Sequence, residues 1–212
     1  RLRCESVWNE EDHLSRVCGL GRPQAAKLRA AGINTSAALA AALEDMRIPC
    51  MAPATFQKLR AQARLQQARR NNGAPMVEPL PVEEGRGFAL LPKPHPADLF
   101  FDLEGDPLEQ GGLDYLWGVH FRERGEPQFR FRWGHDHLTE REAFESTLDW
   151  MVDHLQWNPG AHVYHYAPYE ITALRRLSTL HASREEALDE LLRQRRFVDL
   201  YAVLRQAIRT SE

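Results

Sequence analysis

Six prolines between Asn71 and Ala97, at positions 75, 79, 81, 92, 94 and 96, restrict the folding of this chain more than any other feature. Each proline fixes φ and removes a backbone donor, so no long helix or central strand crosses the stretch. Asn71-Asn72-Gly73 opens it with a turn signal, and no apolar period is sustained through it. The 212-residue chain therefore reads as a module over 1–70, a Pro-rich and partly extended linker over 71–97, and a domain over 98–212. The charge changes sign along the chain. Residues 1–70 hold 12 Lys/Arg against 6 Asp/Glu, and residues 71–212 hold 15 against 24. A basic module for a polyanion beside a domain with working carboxylates fits that asymmetry, and so does a chance split.

Composition narrows the class. With 43% apolar and 27% charged residues the chain is globular, neither disordered nor collagen-like. No run approaches the ~20 apolar residues of a membrane span and no signal-peptide core is present, so the expected location is cytoplasmic, without a membrane partner. Cys4, Cys18 and Cys50 are odd in number and widely spaced, which suits reduced thiols better than disulfides or a metal site. A start at Arg1 without methionine and a stop at Glu212 suggest a piece of something longer.

From Glu10 to Arg70 the pattern is helical. Leu14 and Val17 lead into Gly19-Leu20-Gly21, Pro23 suits a first helical turn, and Gly32 suits a helix stop. Thr35 is placed to cap an alanine-rich helix through Leu43, and Thr55 to cap one carrying Phe56, Leu59, Ala63 and Leu65. A Gly-x-Gly turn between short helices presents backbone N–H groups that hold a phosphate without reading a base. Val17-Cys18-Gly19-Leu20-Gly21, with Ala25, Leu28, Ala31-Gly32-Ile33 and Leu39, resembles the helix-hairpin-helix family of sequence-independent DNA binders. That resemblance implies phosphate contacts from Gly19 and Gly21, with Lys27, Arg29, Lys58, Arg60 and Arg64 adding salt-sensitive affinity. A structural bundle with solvated basic faces has the same pattern.

Cys4-Glu5, with Glu11-Asp12-His13-Leu14, is similar to a segment of bacterial RecB-like nuclease proteins in which the cysteine is the last ligand of an iron–sulfur cluster. A cluster needs four thiolates. No iron–sulfur cluster is therefore expected within these residues, and the resemblance implies helicase or RecB-like nuclease domains in the same parent chain.

Beyond the linker, Asp98 to Glu104 reads as a strand stopped by Gly105-Asp106-Pro107. Tyr115 to Arg122 and Gln128 to Trp133 follow as strands around a polar turn over 123–127. Phe129, Phe131 and Trp133 alternate with Arg130 and Arg132, which gives one apolar and one basic face, the arginines solvated. Thr139 and Glu142 have capping-box spacing for a helix ended by Asn158-Pro159-Gly160. A strand over 161–166, a helix begun near Pro168, further helix over 184–193, and a strand over 196–200 entering a last helix complete the order. That order, β-β-β-α-β-α-α-β-α, describes an α/β domain with a ribonuclease-H-like mixed sheet flanked by helices, preceded by a small all-α module.

Asp102 and Glu104 stand two apart on a strand and so project from one face. Side by side in an apolar strand they repel and lose solvation, and a divalent cation relieves both costs. A strand end open to water explains the same pattern. Phe101-Asp102-Leu103-Glu104-Gly105 resembles the first motif of the DEDD family of 3′–5′ exonucleases, and the run Tyr164 to Leu174 resembles its second, with Glu170 where the family usually has Asp. Phe197-Val198-Asp199-Leu200, with Arg205, is similar to the segment before the third motif, so Asp199 is a supporting residue. The resemblance implies Asp102, Glu104 and Glu170 as catalytic residues holding Mg²⁺ or Mn²⁺, His165 beside them in contact with nucleic acid, and hydrolysis of single-stranded DNA or RNA from a 3′ end. The third motif, Tyr-x3-Asp or His-x4-Asp, does not occur after Asp199. The fourth acid is expected beyond Glu212, and these residues alone are expected to be a weak nuclease or none. The alternative is a catalytically silent nucleic-acid-binding or scaffolding segment of the larger protein. His135-Asp136-His137 reads as a solvated loop rather than a metal site.

Overall fold

The computed structural model describes Ser6, Trp8 and residues 10–211. Cys4 and Glu5 lie outside the described residues, as does Glu212. The chain divides into two compact units, Arg1–Pro81 with Ala207–Glu212, and Val82–Gln206.

The first unit is built mainly of helices. A 3-10 turn at Leu14–Arg16 precedes α1 (Arg22–Ala30), α2 (Ser36–Ala41) and the long α3 (Pro53–Asn72). Proline opens α1 and α3, where its missing donor costs nothing. Thr35 caps α2 by accepting from the Ala38 N–H, as expected. Thr55, expected as a cap, lies inside the first turn of α3, whose cap is Ala52. Leu14, Leu28, Leu39, Phe56 and Leu59 form the buried core. Asp12 pins three segments together, accepting from Ser36 Oγ, from the Ala37 N–H at 2.7 Å and from Arg70 Nη1 at 2.5 Å. Burial pushes its carboxyl up, but those three bonds outweigh it and hold Asp12 below the usual range.

Two features of the stretch over 71–97 differ from an unstructured linker. Asn71 and Asn72 finish α3, which stops at Gly73 with φ +72°, and β1 (Val77–Pro79) pairs antiparallel with a strand from the far end of the chain, Ile208–Thr210. That pairing joins segments some 130 residues apart, and no local pattern signals it.

The second unit holds a five-stranded mixed sheet. Its strands are β2 (Leu99–Asp106), β3 (Leu113–Glu123), β4 (Glu126–Trp133), β5 (Val163–His165) and β6 (Phe197–Asp199), in the order β4-β3-β2-β5-β6. The first three are antiparallel, and β5 and β6 run parallel to β2. Helices α4 (His137–Trp157), α5 (Tyr169–His181) and α6 (Glu185–Arg193) interleave with the strands, and α7 (Leu200–Ala207) leads into β7 (Ile208–Thr210). This is the mixed ribonuclease-H-like sheet expected from the element order. The helix after β4 starts earlier than its capping-box spacing predicts: Asp136 is the cap, accepting from the Thr139 N–H at 2.8 Å, and Thr139 answers by accepting from the Asp136 N–H.

One sheet face is covered and one is open. Leu99, Phe101, Leu103, Trp117 and Val119 pack against Phe144, Leu148 and Met151 of α4, Leu174 and Leu177 of α5, and Leu188 of α6. On the other face Phe100, Asp102 and Glu104 are exposed. Among the described residues no helix is long and apolar enough to cross a membrane.

Candidate carboxylate site

The site starts from the period of two in β2. With Phe101 and Leu103 committed to the core, Asp102 and Glu104 project together from the open face, as the sequence predicts. A register shift between Glu104 and Gly105 then bends the strand away.

Glu170 arrives from the first turn of α5. The turn that delivers it is tightly held. Ala167 sits at φ +71°, its N–H donates to Asp199 Oδ1 at 3.1 Å, and its carbonyl accepts from His165 Nδ1 at 2.8 Å. Asp199 also accepts from the backbone N–H groups of Tyr201 and Ala202, so it caps α7 and anchors this turn. Its supporting role is thus structural, exercised through backbone.

Glu170 is only 3% exposed. Its Oε2 lies 3.4 Å from His165 Nδ1, yet it has no hydrogen-bond partner, because the Nδ1 proton is directed at the Ala167 carbonyl. The contact is proximity without a bond. Burial pushes the Glu170 carboxyl above the usual range, and the neighbouring Asp102 carboxylate adds to the rise against the pull of its own N–H and of His165. The Asp102 and Glu170 carboxyls thus lie within electrostatic reach of one another.

Glu104 has a different neighbour. Its charge acts on Tyr169, whose hydroxyl donates to Asp114 Oδ1 at 2.6 Å. Asp114 and Glu140 are buried, and Arg176 donates to both, at 2.7 and 3.2 Å. Glu140 also accepts from the Asp114 N–H and approaches His137 Nδ1 at 3.1 Å, while His137 Nε2 lies 3.0 Å from the Gln110 carbonyl. Both ring nitrogens meet acceptors, which favours imidazolium, and the Glu140 bond accordingly raises the His137 pKa. Nothing in the local pattern at Asp114, Glu140, Tyr169 or Arg176 marks this network. His135 stacks on Trp133 with ring centroids 5.6 Å apart, and Asp136 is the helix cap already described.

Asp102 and Glu104 share the open face of β2, the Asp102 charge reaches Glu170, and the Glu104 charge reaches Tyr169. Among the described residues no group of three or more His, Cys, Asp or Glu is arranged to hold a metal ion. The unpartnered, buried Oε2 of Glu170 opposite Asp102 nevertheless suits a hard cation, which prefers carboxylate oxygen.

A family model described as the RNase_H superfamily matches residues 99–212, more than half of the chain. The chain belongs to the RNase_H superfamily. Its membership spans β2 and α5, the two elements that carry Asp102 and Glu170. No curated protein and no solved structure matches this RNase_H superfamily chain.

The expected phosphate-binding residues of the first unit are placed as follows. Gly19 has φ +77°, and Gly21 precedes α1 with its N–H donating to Gln24 Oε1 at 2.7 Å. Gly21 and Arg29 line a cavity of about 360 Å³ together with His13, Ser15, Leu20 and Arg22. Arg29 Nη2 lies 2.6 Å from His13 Nε2. Lys27 and Arg60 serve the fold, donating to the carbonyls of Cys50 and Ala42, each at 2.5 Å. Lys58 is exposed on α3.

Proposed function

We propose that this chain is a nucleic-acid-binding segment of the RNase_H superfamily that keeps, in Asp102 and Glu170, a partial cation site and does not hydrolyse phosphodiesters by itself. The observation that carries this reading is that among the described residues no group of three or more His, Cys, Asp or Glu is arranged to hold a metal ion, although Glu170 lies within electrostatic reach of Asp102. In-line hydrolysis between two metals needs carboxylates enough to hold both ions, and Asp102 with Glu170, whose carboxyl burial pushes above the usual range, supplies a weak seat for one. The excess of 12 basic over 6 acidic residues in 1–70, and the cavity at Gly21, Arg22 and Arg29, support binding to a phosphate backbone.

The test is fluorescence anisotropy of the whole chain with a labelled single-stranded oligonucleotide. Binding is expected to weaken at least tenfold between about 50 and 200 mM salt. Addition of Mn²⁺ is expected to leave the oligonucleotide intact over hours. Absence of binding at low salt overturns the proposal, and so does rapid digestion.

One observation favours a second reading, hydrolysis of DEDD type from a 3′ end. The orphaned Oε2 of Glu170 is an acceptor awaiting a partner, and a divalent ion bound there by Asp102 and Glu170, with Glu104 beside it, would supply an activated water. His165 would hold the Ala167 turn, and so Glu170, in place by its bond to the carbonyl. Metal-dependent shortening of a 3′ end that disappears in Asp102→Ala selects this reading. RecB-like nuclease or helicase domains in the same parent chain belong to both readings.

A further inference from the structure

The open face of the sheet carries an aromatic row that the carboxylate site does not use. Phe129, Phe131 and Trp133 are 62%, 49% and 46% exposed, although their alternation with Arg130 and Arg132 is that of a strand burying its apolar side. The structure reverses that side. Arg130 lies over the Trp150 ring of α4 at 5.1 Å, so an arginine takes the helix side and the rings are left to solvent.

The row shares a face and a register with the acids. Phe131 pairs with Gly118, which pairs with Asp102, and Trp133 pairs with Leu116, which pairs with Glu104. At about 4.8 Å per strand the rings stand roughly 10 Å from the carboxylates. Gly118 keeps the intervening surface low: a Cβ there would meet Phe129 Cζ at 3.0 Å. The Phe129 and Phe131 rings are stacked with centroids 6.0 Å apart, and Trp133 is flanked by His135 and Tyr115.

Charge decides what fits. Over 71–212 acids outnumber bases 24 to 15, yet the hairpin from Phe121 to Trp133 carries Arg122, Arg124, Arg130 and Arg132 against Glu123 and Glu126. Arg132 Nη1 donates to the Phe131 carbonyl at 2.9 Å, which holds its guanidinium against the backbone of the aromatic strand. Flat rings for bases and local cations for phosphates are the two parts of a sequence-tolerant single-strand platform. A second copy pairing on this edge would set like-charged hairpins against each other.

We propose that Phe129, Phe131 and Trp133 form a stacking platform that holds the bases of single-stranded nucleic acid beside Asp102. This rests on the nucleic-acid-binding reading above and adds where the strand lies. The experiment compares the whole chain with Phe129→Ala/Phe131→Ala and with Trp133→Ala, using fluorescein-labelled oligo(dT) and an abasic oligomer of equal length. Each variant is expected to bind oligo(dT) at least tenfold more weakly and the abasic oligomer unchanged. Photocrosslinking of 5-iodouracil oligomers to the unaltered chain is expected to give adducts at 129, 131 or 133, and this decides the matter if a variant fails to fold. Unchanged affinity in folded variants, or adducts confined to residues 10–72, overturns the platform while leaving the proposed function standing. An unaltered chain that binds neither oligomer overturns both. Light scattering that shows a dimer, dissolved by the Phe variants without loss of affinity, also overturns the platform in favour of a contact between copies.

Discussion

The Tyr169 hydroxyl sits against the backbone of Gly105 and donates to buried Asp114, so the first turn of α5 is clamped to the end of the strand that carries the acids. A Cβ on Gly105 would lie 2.0 Å from that hydroxyl and 2.8 Å from Asp114 Oδ1. Tyr169→Phe removes one donor from Asp114, which keeps Arg176, and is expected to cost about 1–2 kcal/mol in urea unfolding. Gly105→Ala is expected to cost more in the native background than in Tyr169→Phe, where the closest of its clashes is removed and that with Asp114 Oδ1 remains. An additive double-mutant cycle would refute the clamp.

Glu170 makes a pH prediction of unusual sign. Its carboxyl pKa is raised by burial, so the folded state holds a proton that the unfolded chain loses at the ordinary glutamate value. The stability this group contributes is present below that value and is lost as pH rises through the folded pKa. Glu170→Gln is therefore expected to raise the melting temperature at pH 7 and to leave it little changed at pH 4. Thermal denaturation at both pH values in a metal chelator checks this, and a lower melting temperature at pH 7 would contradict it.

What was legible in the sequence was what rests on short periods. The alternation in β2 placed Asp102 and Glu104 on one face, and the resemblance of the run Tyr164 to Leu174 to a known motif located Glu170 at a helix start, because both signals lie within a dozen residues. The buried pairs Asp114–Glu140 and Asp114–Arg176 join residues 26 and 62 apart, and a charged residue in a strand or helix reads locally as a solvated one. Arg130, expected to be solvated, lies over Trp150 for a related reason: alternation says that two faces differ, and which face meets the helices is decided by the rest of the sheet. The cap at Asp136 was missed because Thr139 is also a good cap residue, three positions later.

The two cores predict two separable unfolding events. Leu28 and Leu148 are each fully buried, one in the core of the first unit and one in that of the second. Leu→Ala at either is expected to cost about 2–5 kcal/mol. Leu148→Ala is expected to lower the transition of residues 82–206 and Leu28→Ala that of the helical unit, read by hydrogen exchange of amides in each. A single transition shifted equally by both variants would show that the units do not unfold separately.

Arg176 is the cation that makes Asp114 and Glu140 tolerable in the interior. Its bonds to the two carboxylates outweigh its own burial and raise its pKa, so the group is charged wherever the protein is folded. Arg176→Met keeps much of the side-chain bulk, leaves buried Asp114 without a counter-charge and leaves Glu140 with His137 alone. Removing one partner of a fully buried cluster costs about 3–5 kcal/mol, and the loss here is expected to be smaller because the Arg176 side chain is 37% exposed. Arg176→Lys keeps the charge without the two-pronged donor. It is expected to lose less stability than Arg176→Met in urea unfolding at pH 7.5, and an equal loss in both variants would assign the role of Arg176 to packing alone.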